Sequence, residues 1–192
     1  MIYQKEKKSK QLMKLENKIL VHCCCGICAG YPLTLLGEDC VAFFYNPNIY
    51  PLEEYNKRLK AMKTLCKELQ RELIVSHYDN KNYENQMSEY KDYKEGSERC
   101  IKCFEIRLRK TFEEAKRLGI KKVTTTLSVS PHKKYDWIKS VGEKLAKEFD
   151  IEFADYNFKK QDGFLKTMKI AKELELYRQN YCGCRNSRTQ QI

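Results

Sequence analysis

Short apolar runs rich in strand-forming residues alternate along the chain with longer segments of helical periodicity. The strand-like runs cover residues 18–23, 40–45, 72–78, 121–127 and 151–158. Helical patterns occupy residues 51–69, 101–118, 132–149 and 163–174. Because a helix between two strands lets both run in the same direction, the alternation predicts an α/β protein whose mostly parallel sheet is flanked by helices.

The clearest helical pattern lies between residues 51 and 69. Its apolar side chains recur every three or four residues, the repeat of one helix face: Leu52, Tyr55, Leu59, Met62, Leu65, Cys66 and Leu69. We expect this face to pack on the sheet. The chain has 192 residues and no linker-like segment, so it is predicted to form a single domain over residues 18–192, preceded by a basic extension at residues 1–17.

The loops at the carboxyl ends of the strands are the expected place for a ligand. In open parallel sheets, ligands bind outside these ends. The loops that follow Val21, Tyr45, His77, Leu127 and Phe158 are therefore predicted to face one site.

Charge and hydrophobicity exclude some classes of protein. Residues 19–37 carry no formal charge, but their centre, HCCCGICAGYP, contains His22, Pro32, two glycines and four thiols, which interrupt any continuous membrane-spanning helix. No membrane partner is therefore expected, and a cytoplasmic location is the default. The formal net charge of +11 instead favours a polyanionic partner.

Eight of the ten cysteines fall into three groups. One follows the first predicted strand, one begins a predicted helix, and one lies late in the sequence: Cys23, Cys24, Cys25 and Cys28; Cys100 and Cys103; Cys182 and Cys184. In a reducing compartment, clustered thiols are more often metal ligands or redox groups than structural disulfides. The first two groups predict a zinc site or an iron–sulfur cluster, and the adjacent Cys24 and Cys25 favour the cluster, in which neighbouring thiolates bind different irons.

The third group, Cys182-Gly183-Cys184, has a different chemistry. A disulfide between residues i and i+2 closes a small, strained ring, and strain makes such a bond easier to reduce. The pair is therefore an electron relay, or two free thiols, or two additional metal ligands. Cys40 and Cys66 lie in apolar patterns and are expected to be buried hydrophobic side chains.

Five segments of the sequence, in this order and at these distances, resemble the QueH family of epoxyqueuosine reductases. They span the chain from about residue 18 to residue 187: HCCCGIC, YNPNIYPLEEY, ERCIKCFEIRLRKT, TTTLSVSPHK and LYRQNYCGCRNS. The resemblance implies a Rossmann-like fold related to the nucleotide-binding HUP group. It also implies that the protein reduces epoxyqueuosine to queuosine at the wobble position of tRNA, the last step of queuosine synthesis.

The resemblance assigns roles to individual cysteines. The ligands of the family's 4Fe-4S cluster match four positions of this chain: Cys24, Cys25, Cys100 and Cys103. The family's redox-active disulfide matches Cys182 and Cys184. Cys28 matches a frequent family cysteine, which either lies near the cluster or helps to hold an additional mononuclear iron. Cys23 is an extra thiol outside the ligand set.

The resemblance also implies the partners, a tRNA carrying epoxyqueuosine and an electron donor that the sequence does not identify. Where the family usually has an aspartate, this chain has Asn157, and the neighbouring Asp155 is the carboxylate that can replace it. The candidate proton donors are Tyr181, Asp155 and His22. The basic residues proposed to contact the tRNA flank the TTTLSVSP segment: Lys121, Lys122, Lys133 and Lys134.

Two other functions fit the same residues. A thiol-disulfide oxidoreductase would use Cys182 and Cys184 on protein substrates and would need neither iron nor RNA. A zinc-stabilised RNA-binding module would be colourless and would contain stoichiometric zinc. A visible spectrum of anaerobically purified protein separates all three functions.

Overall fold

The computed structural model describes residues 15–188. Its strands are β1 (Ile19–His22), β2 (Cys40–Phe44), β3 (Leu73–Val75), β4 (Lys122–Thr125) and β5 (Glu152–Phe153). Its α-helices are α1 (Gly26–Leu36), α2 (Leu52–Glu68), α3 (Asn80–Gln86), α4 (Glu98–Leu118), α5 (Tyr135–Phe149), α6 (Gly163–Glu173) and α7 (Arg185–Arg188). Short 3-10 helices occupy Gly37–Asp39, Ser88–Tyr90 and Thr126–Val129.

The five strands form one parallel sheet in the order β3-β2-β1-β4-β5. The central strand β1 pairs with β2 and β4, so that Leu20 lies between Val41 and Val123. This confirms the predicted fold class, a single α/β domain with a parallel sheet flanked by helices, consistent with a Rossmann-like fold. The carboxyl ends of all strands consequently point to the same edge of the sheet.

Two apolar cores cover the two faces of the sheet. Successive side chains of a strand point to opposite faces. Ile19 and Val21 accordingly pack in the first core, with α1, α2 and α6, while Leu20 packs in the second core, with α4 and α5. Strand β1 is therefore buried on both faces, which is why it reads as a continuous apolar run.

Helix α1 is absent from the predicted elements, because Pro32 and two glycines interrupt its apolar sequence. The same glycines allow close packing. A Cβ added at Gly26 would lie 2.8 Å from the backbone of Ala61 in α2, and one at Gly30 would lie 3.3 Å from Thr167 Oγ1 in α6. Residues that weaken an isolated helix therefore let two neighbouring helices approach this one.

The side chain of Thr167 also hydrogen-bonds to the backbone of α1. Its hydroxyl donates to the Ile27 carbonyl at 2.7 Å and accepts from the Tyr31 amide at 3.1 Å. An α-helix ordinarily joins these two backbone groups to each other. Thr167 is fully buried, so α6 supports the turn of α1 that precedes Pro32.

Strand β5 is much shorter than the predicted run at residues 151–158. Its partner β4 ends at Thr125, whose hydroxyl accepts a hydrogen bond from the Leu127 amide and begins a 3-10 helix. The carbonyl of Tyr156 then accepts a hydrogen bond from the Ser128 side chain instead of from the backbone of a neighbouring strand. Because β4 turns away, β5 has no further backbone to pair with.

The remaining predicted helices are found with shifted ends. Helix α4 begins at Glu98 instead of residue 101, and α5 begins at Tyr135 instead of residue 132. The predicted extension, residues 1–17, lies outside the described residues except for its last three, of which Leu15 is buried in the second core. Between residues 15 and 188, no helix combines the length and apolar character needed to cross a bilayer.

Candidate functional site

A cavity of about 770 Å³ lies at the carboxyl ends of the central strands. As predicted, its walls include residues that follow β1, β2 and β4, together with Phe164 at the start of α6 and the segment before Cys184. The loop after β3 differs from the prediction. Ser76 and His77 line a second, polar cavity of about 340 Å³ beside α4.

Three sulfurs meet where β1 passes into α1. The Sγ atoms of Cys24 and Cys25 are 3.9 Å apart, and with Cys28 they form a group within 4.8 Å of one another. Cys25 begins the helix, since its sulfur accepts the Cys28 amide at 3.4 Å. The sulfur of Cys25 also accepts a hydrogen bond from Gln179 Nε2 at 2.9 Å, and Thr126 Oγ1 donates to Cys24 Sγ at 3.5 Å.

This spacing also suits a single ion. Thiolates at about 2.3 Å from a tetrahedral metal are about 3.8 Å apart, close to the 3.9 Å between Cys24 and Cys25. The distance between these two sulfurs therefore does not favour a cluster over a single ion, contrary to the expectation from their adjacency in the sequence.

Cys100 and Cys103 occupy the first turns of α4. The amide of Gly96 donates to Cys100 Sγ at 3.3 Å, while Cys103 is buried against Tyr83. Cys24 and Cys100 pack against one apolar cluster, Phe104, Leu127 and Ile138. Within the described residues, the 4.8 Å group contains Cys28 and not the Cys100–Cys103 pair.

Cys182 and Cys184 lie in a stretch without helix or strand. Both are free thiols; Cys182 lines the cavity, while Cys184 is buried and its Sγ lies 3.4 Å from Ser187 Oγ. A hydrogen bond from Cys184, and then the charges of Lys133 and Arg107, hold the pKa of Cys182 well below its usual value. The same hydrogen bond, and then burial, raise the pKa of Cys184. The pair is thus polarised, because the Cys182 thiol at the cavity loses its proton more readily than the buried Cys184 thiol.

Arg107 lies among all three groups of cysteines. Its guanidinium is fully buried, donates to Asn46 Oδ1 at 2.6 Å, and interacts electrostatically with Cys103, Cys24 and Cys182. Sequence reasoning missed this residue, although its position four residues after Cys103 places both on one helix face. A fixed positive charge at this position stabilises sulfur anions.

Two further groups of the cavity carry or bind protons. Burial lowers the pKa of Lys133, but the thiols of Cys182, Cys24 and Cys28 outweigh it and raise the pKa. Burial and then the neighbouring Cys182 raise the pKa of Glu95, a half-buried carboxyl group that the sequence did not single out. The cavity therefore contains a cation and a carboxyl group that retains its proton more readily than usual.

The candidate proton donors occupy different surroundings. His22 is buried, and its two ring nitrogens contact Thr125 Oγ1 and the Tyr45 carbonyl; burial, and then Arg107, lower its pKa to about 3. A neutral imidazole whose two ring nitrogens both contact protein groups is not suited to donate a proton to a substrate. Tyr181 lines the cavity, and its hydroxyl donates to the Tyr50 carbonyl at 2.9 Å.

Neither Asp155 nor Asn157 is among the described residues that line the cavity. Asp155 is exposed and accepts hydrogen bonds from Tyr135 and Lys139. The side chain of Asn157 accepts the backbone amide of Lys159 at 3.3 Å and so supports a turn.

The four lysines proposed for tRNA binding lie at two ends of the sheet. Lys122 begins β4 and pairs with Glu152 at 3.1 Å, so it and Lys121 lie at the amino end, away from the cavity. Lys133 lines the cavity, and Lys134 stacks on the Trp137 ring at 3.9 Å. Only the second pair is close to the candidate site.

The comparisons with known proteins agree on one family. The family model described as Epoxyqueuosine reductase QueH matches residues 19–190. The relative of that name in Thermotoga maritima is 36% identical over 171 residues, covering 86% of this chain and 88% of its own length. The one in Dehalococcoides mccartyi is 36% identical over 171 residues, with 87% and 90% covered. The one in Helicobacter pylori is 38% identical over 176 residues, with 86% of this chain but 48% of that relative covered. This chain therefore belongs to the Epoxyqueuosine reductase QueH family.

Proposed function

We propose that this protein reduces epoxyqueuosine to queuosine at the wobble position of tRNA, in the cavity at the carboxyl ends of the strands. One observation carries the proposal. The polarised thiol of Cys182 lines the same cavity as Cys24, Cys25 and Cys28, and cationic side chains line that cavity too. Sulfur groups able to bind a metal and a pair able to exchange electrons thus share one substrate-sized space.

The chemistry balances with the cysteine pair. Converting the epoxide to an alkene removes one oxygen atom as water and consumes two electrons and two protons. Oxidation of the Cys182 and Cys184 thiols to a disulfide releases two electrons and two protons. One turnover therefore gives queuosine, a disulfide and water, and a dithiol-class reductant restores both thiols.

The cofactor is proposed to be a 4Fe-4S cluster held by four thiolates: Cys24, Cys25, Cys100 and Cys103. The donor set fits, because the sulfurs accept hydrogen bonds from Thr126, Gln179 and the Gly96 amide, and Arg107 adds a buried positive charge. When bound, the cluster supplies one-electron transfer. Cys28 is proposed to help hold an additional mononuclear iron beside it.

The chain's own residues prepare the substrate site. Cys182 presents the thiol that loses its proton more readily, and the buried Cys184 is the thiol that retains its proton. Lys133 places an ammonium group beside Cys182, where it favours negative charge that develops on the departing oxygen. Glu95 places a carboxyl group at the cavity wall close to Cys182, and its raised pKa makes it better able to hold a proton and deliver it there.

The tRNA is proposed to place the modified nucleoside in the cavity and its phosphates on the surrounding cations. A volume of about 770 Å³ accommodates a nucleoside with its cyclopentane substituent. Lys133, His132 and Arg178 line the cavity, and Lys134 is adjacent to Lys133 in the chain. This location favours Lys133 and Lys134 over Lys121 and Lys122 as phosphate contacts.

Anaerobic purification followed by visible spectroscopy tests the cofactor. We expect a brown protein with absorbance near about 400 nm, and loss of that absorbance in the Cys100→Ser/Cys103→Ser double variant. Cys40→Ser is the matched control, because Cys40 is buried in β2 and donates only to the Gly37 carbonyl. Full retention of iron and sulfide by the double variant would exclude these ligands.

A zinc site is the second candidate, favoured by the compact group of Cys24, Cys25 and Cys28. It predicts a colourless protein with stoichiometric zinc and no reduction of epoxyqueuosine. A thiol-disulfide oxidoreductase predicts activity on protein disulfides without bound iron. Metal analysis and an assay on tRNA carrying epoxyqueuosine separate both from the proposed reductase.

A further inference from the structure

The segment that carries Cys182 and Cys184 has no helix or strand to fix it. Residues 175–184 follow α6 as turns and irregular backbone. We call residues 177–184 the cysteine-pair segment. Irregular backbone is held in place by side-chain contacts, and in this segment most of those contacts come from α2 and the residues just before it.

Arg58 of α2 makes the central contacts. Its Nη1 donates to the Cys182 carbonyl at 2.8 Å and its Nη2 donates to the Tyr181 carbonyl at 3.0 Å. Its Nε donates to Glu54 Oε1 at 2.7 Å. All three guanidinium nitrogens are therefore used, and the side chain is buried, with 3% exposed.

Two neighbouring contacts complete this network. Tyr177 donates its hydroxyl to the other oxygen of Glu54 at 2.7 Å, so the carboxylate joins both ends of the segment to α2. The Tyr50 amide donates to the Gly183 carbonyl at 2.8 Å. A Cβ at Gly183, where φ is +115°, would lie 2.8 Å from Arg58 Nη1, so the glycine permits this approach.

We propose that Arg58 is a positioning residue for the cysteine pair. By binding two successive carbonyls, it fixes the backbone so that Cys182 faces the cavity while Cys184 stays buried behind it. The inference rests on the proposed redox role of the pair. A buried ion pair is no more stabilising than apolar packing of the same volume, so the directional contacts, and not stability alone, distinguish arginine at this position.

Thiol labelling tests the proposal. The reduced holoprotein is treated anaerobically with iodoacetamide, and each labelled cysteine is quantified by peptide mass spectrometry. In Arg58→Met we expect Cys184 to be labelled about a hundredfold faster than in the wild type, since two charge-assisted hydrogen bonds are lost. Buried Cys40 reports global opening and should not change.

Three further variants separate positioning from charge and from folding. Tyr177→Phe removes one hydroxyl and should accelerate Cys184 labelling about tenfold. This milder variant keeps the test available if Arg58→Met does not fold. Arg58→Lys keeps the charge but loses the planar fork, and should also accelerate it about tenfold. Arg117→Met makes the same change at an exposed arginine of α4 and should have no effect.

Two functional measurements distinguish positioning of the cysteine pair from a purely structural role of Arg58. In Arg58→Met, kcat should fall while KM for tRNA and the iron content stay unchanged. The thiol–disulfide equilibrium of the pair should move about tenfold toward the disulfide, because the Arg58 charge favours the Cys182 thiolate.

Unchanged labelling of Cys184 in Tyr177→Phe and in folded Arg58 variants would overturn the inference. The inference would also be overturned if Cys40 were labelled faster in parallel with Cys184, or if Cys184 in Arg58→Lys were labelled at the wild-type rate. If the wild type does not reduce epoxyqueuosine, the proposed function fails while the labelling pattern still reports on Arg58.

Discussion

Replacing Thr167 by valine should destabilise the protein by removing two hydrogen bonds and almost no volume. The hydroxyl donates to the Ile27 carbonyl at 2.7 Å and accepts from the Tyr31 amide at 3.1 Å, at a site with no solvent exposure. Each buried backbone group left without its partner costs about 1–3 kcal/mol. The two backbone groups can partly compensate by bonding to each other, so we expect a loss of about 2–4 kcal/mol.

Urea unfolding of anaerobic protein, with equal metal content in all variants, measures this loss. The single tryptophan, Trp137, provides a fluorescence signal, and circular dichroism provides an independent one. Thr167→Ser is the matched control, because it keeps the hydroxyl and removes one buried methyl group worth about 1 kcal/mol. If Thr167→Val costs no more than Thr167→Ser, the hydrogen bonds do not support α1.

Three other outcomes are expected. Gly142→Ala should lower the free energy of unfolding by about 1–3 kcal/mol, measured in urea, because the added Cβ would lie 2.4 Å from the Phe153 ring; an unchanged midpoint would contradict this. Cys184→Ser should leave the visible spectrum intact yet suppress steady-state reduction of epoxyqueuosine; a parallel loss of iron would make Cys184 a ligand, and full activity would exclude the relay. With about six phosphate contacts, tRNA affinity should fall about a thousandfold between 50 and 200 mM salt in a filter-binding assay; salt-independent binding would contradict a basic contact surface that includes Lys133.

The sequence predicts the central strands β1 and β2 best, because each is a mainly apolar run that is buried along its whole length. It does not predict α1, because Pro32, Gly26 and Gly30 are all unfavourable for an isolated helix. The compensating contacts come from Ala61 and Thr167, which lie in other helices. The low helix propensity of this segment is thus overridden by packing against distant residues, which its own sequence does not indicate.

In the candidate site, too, some features are predictable from the sequence and others depend on tertiary packing. The location of the site follows from the parallel sheet, but the meeting of Cys28 with Cys24 and Cys25 depends on α1, a helix that the sequence does not predict. The role proposed for Arg58 has no local signal, since the Tyr181 carbonyl it binds is 123 residues further along the chain. Pairing between distant residues depends on the completed fold.

The order of the cysteine groups along the chain determines the order in which the parts of the site are synthesised. During synthesis, residues 24–28 and 100–103 leave the ribosome well before residues 182–184. Until those last residues arrive, the cavity lacks the wall formed by Tyr181 and Cys182 and is open on that side. The thiols proposed to bind metal therefore precede, in the order of synthesis, the residues that complete the cavity wall and are proposed to exchange electrons.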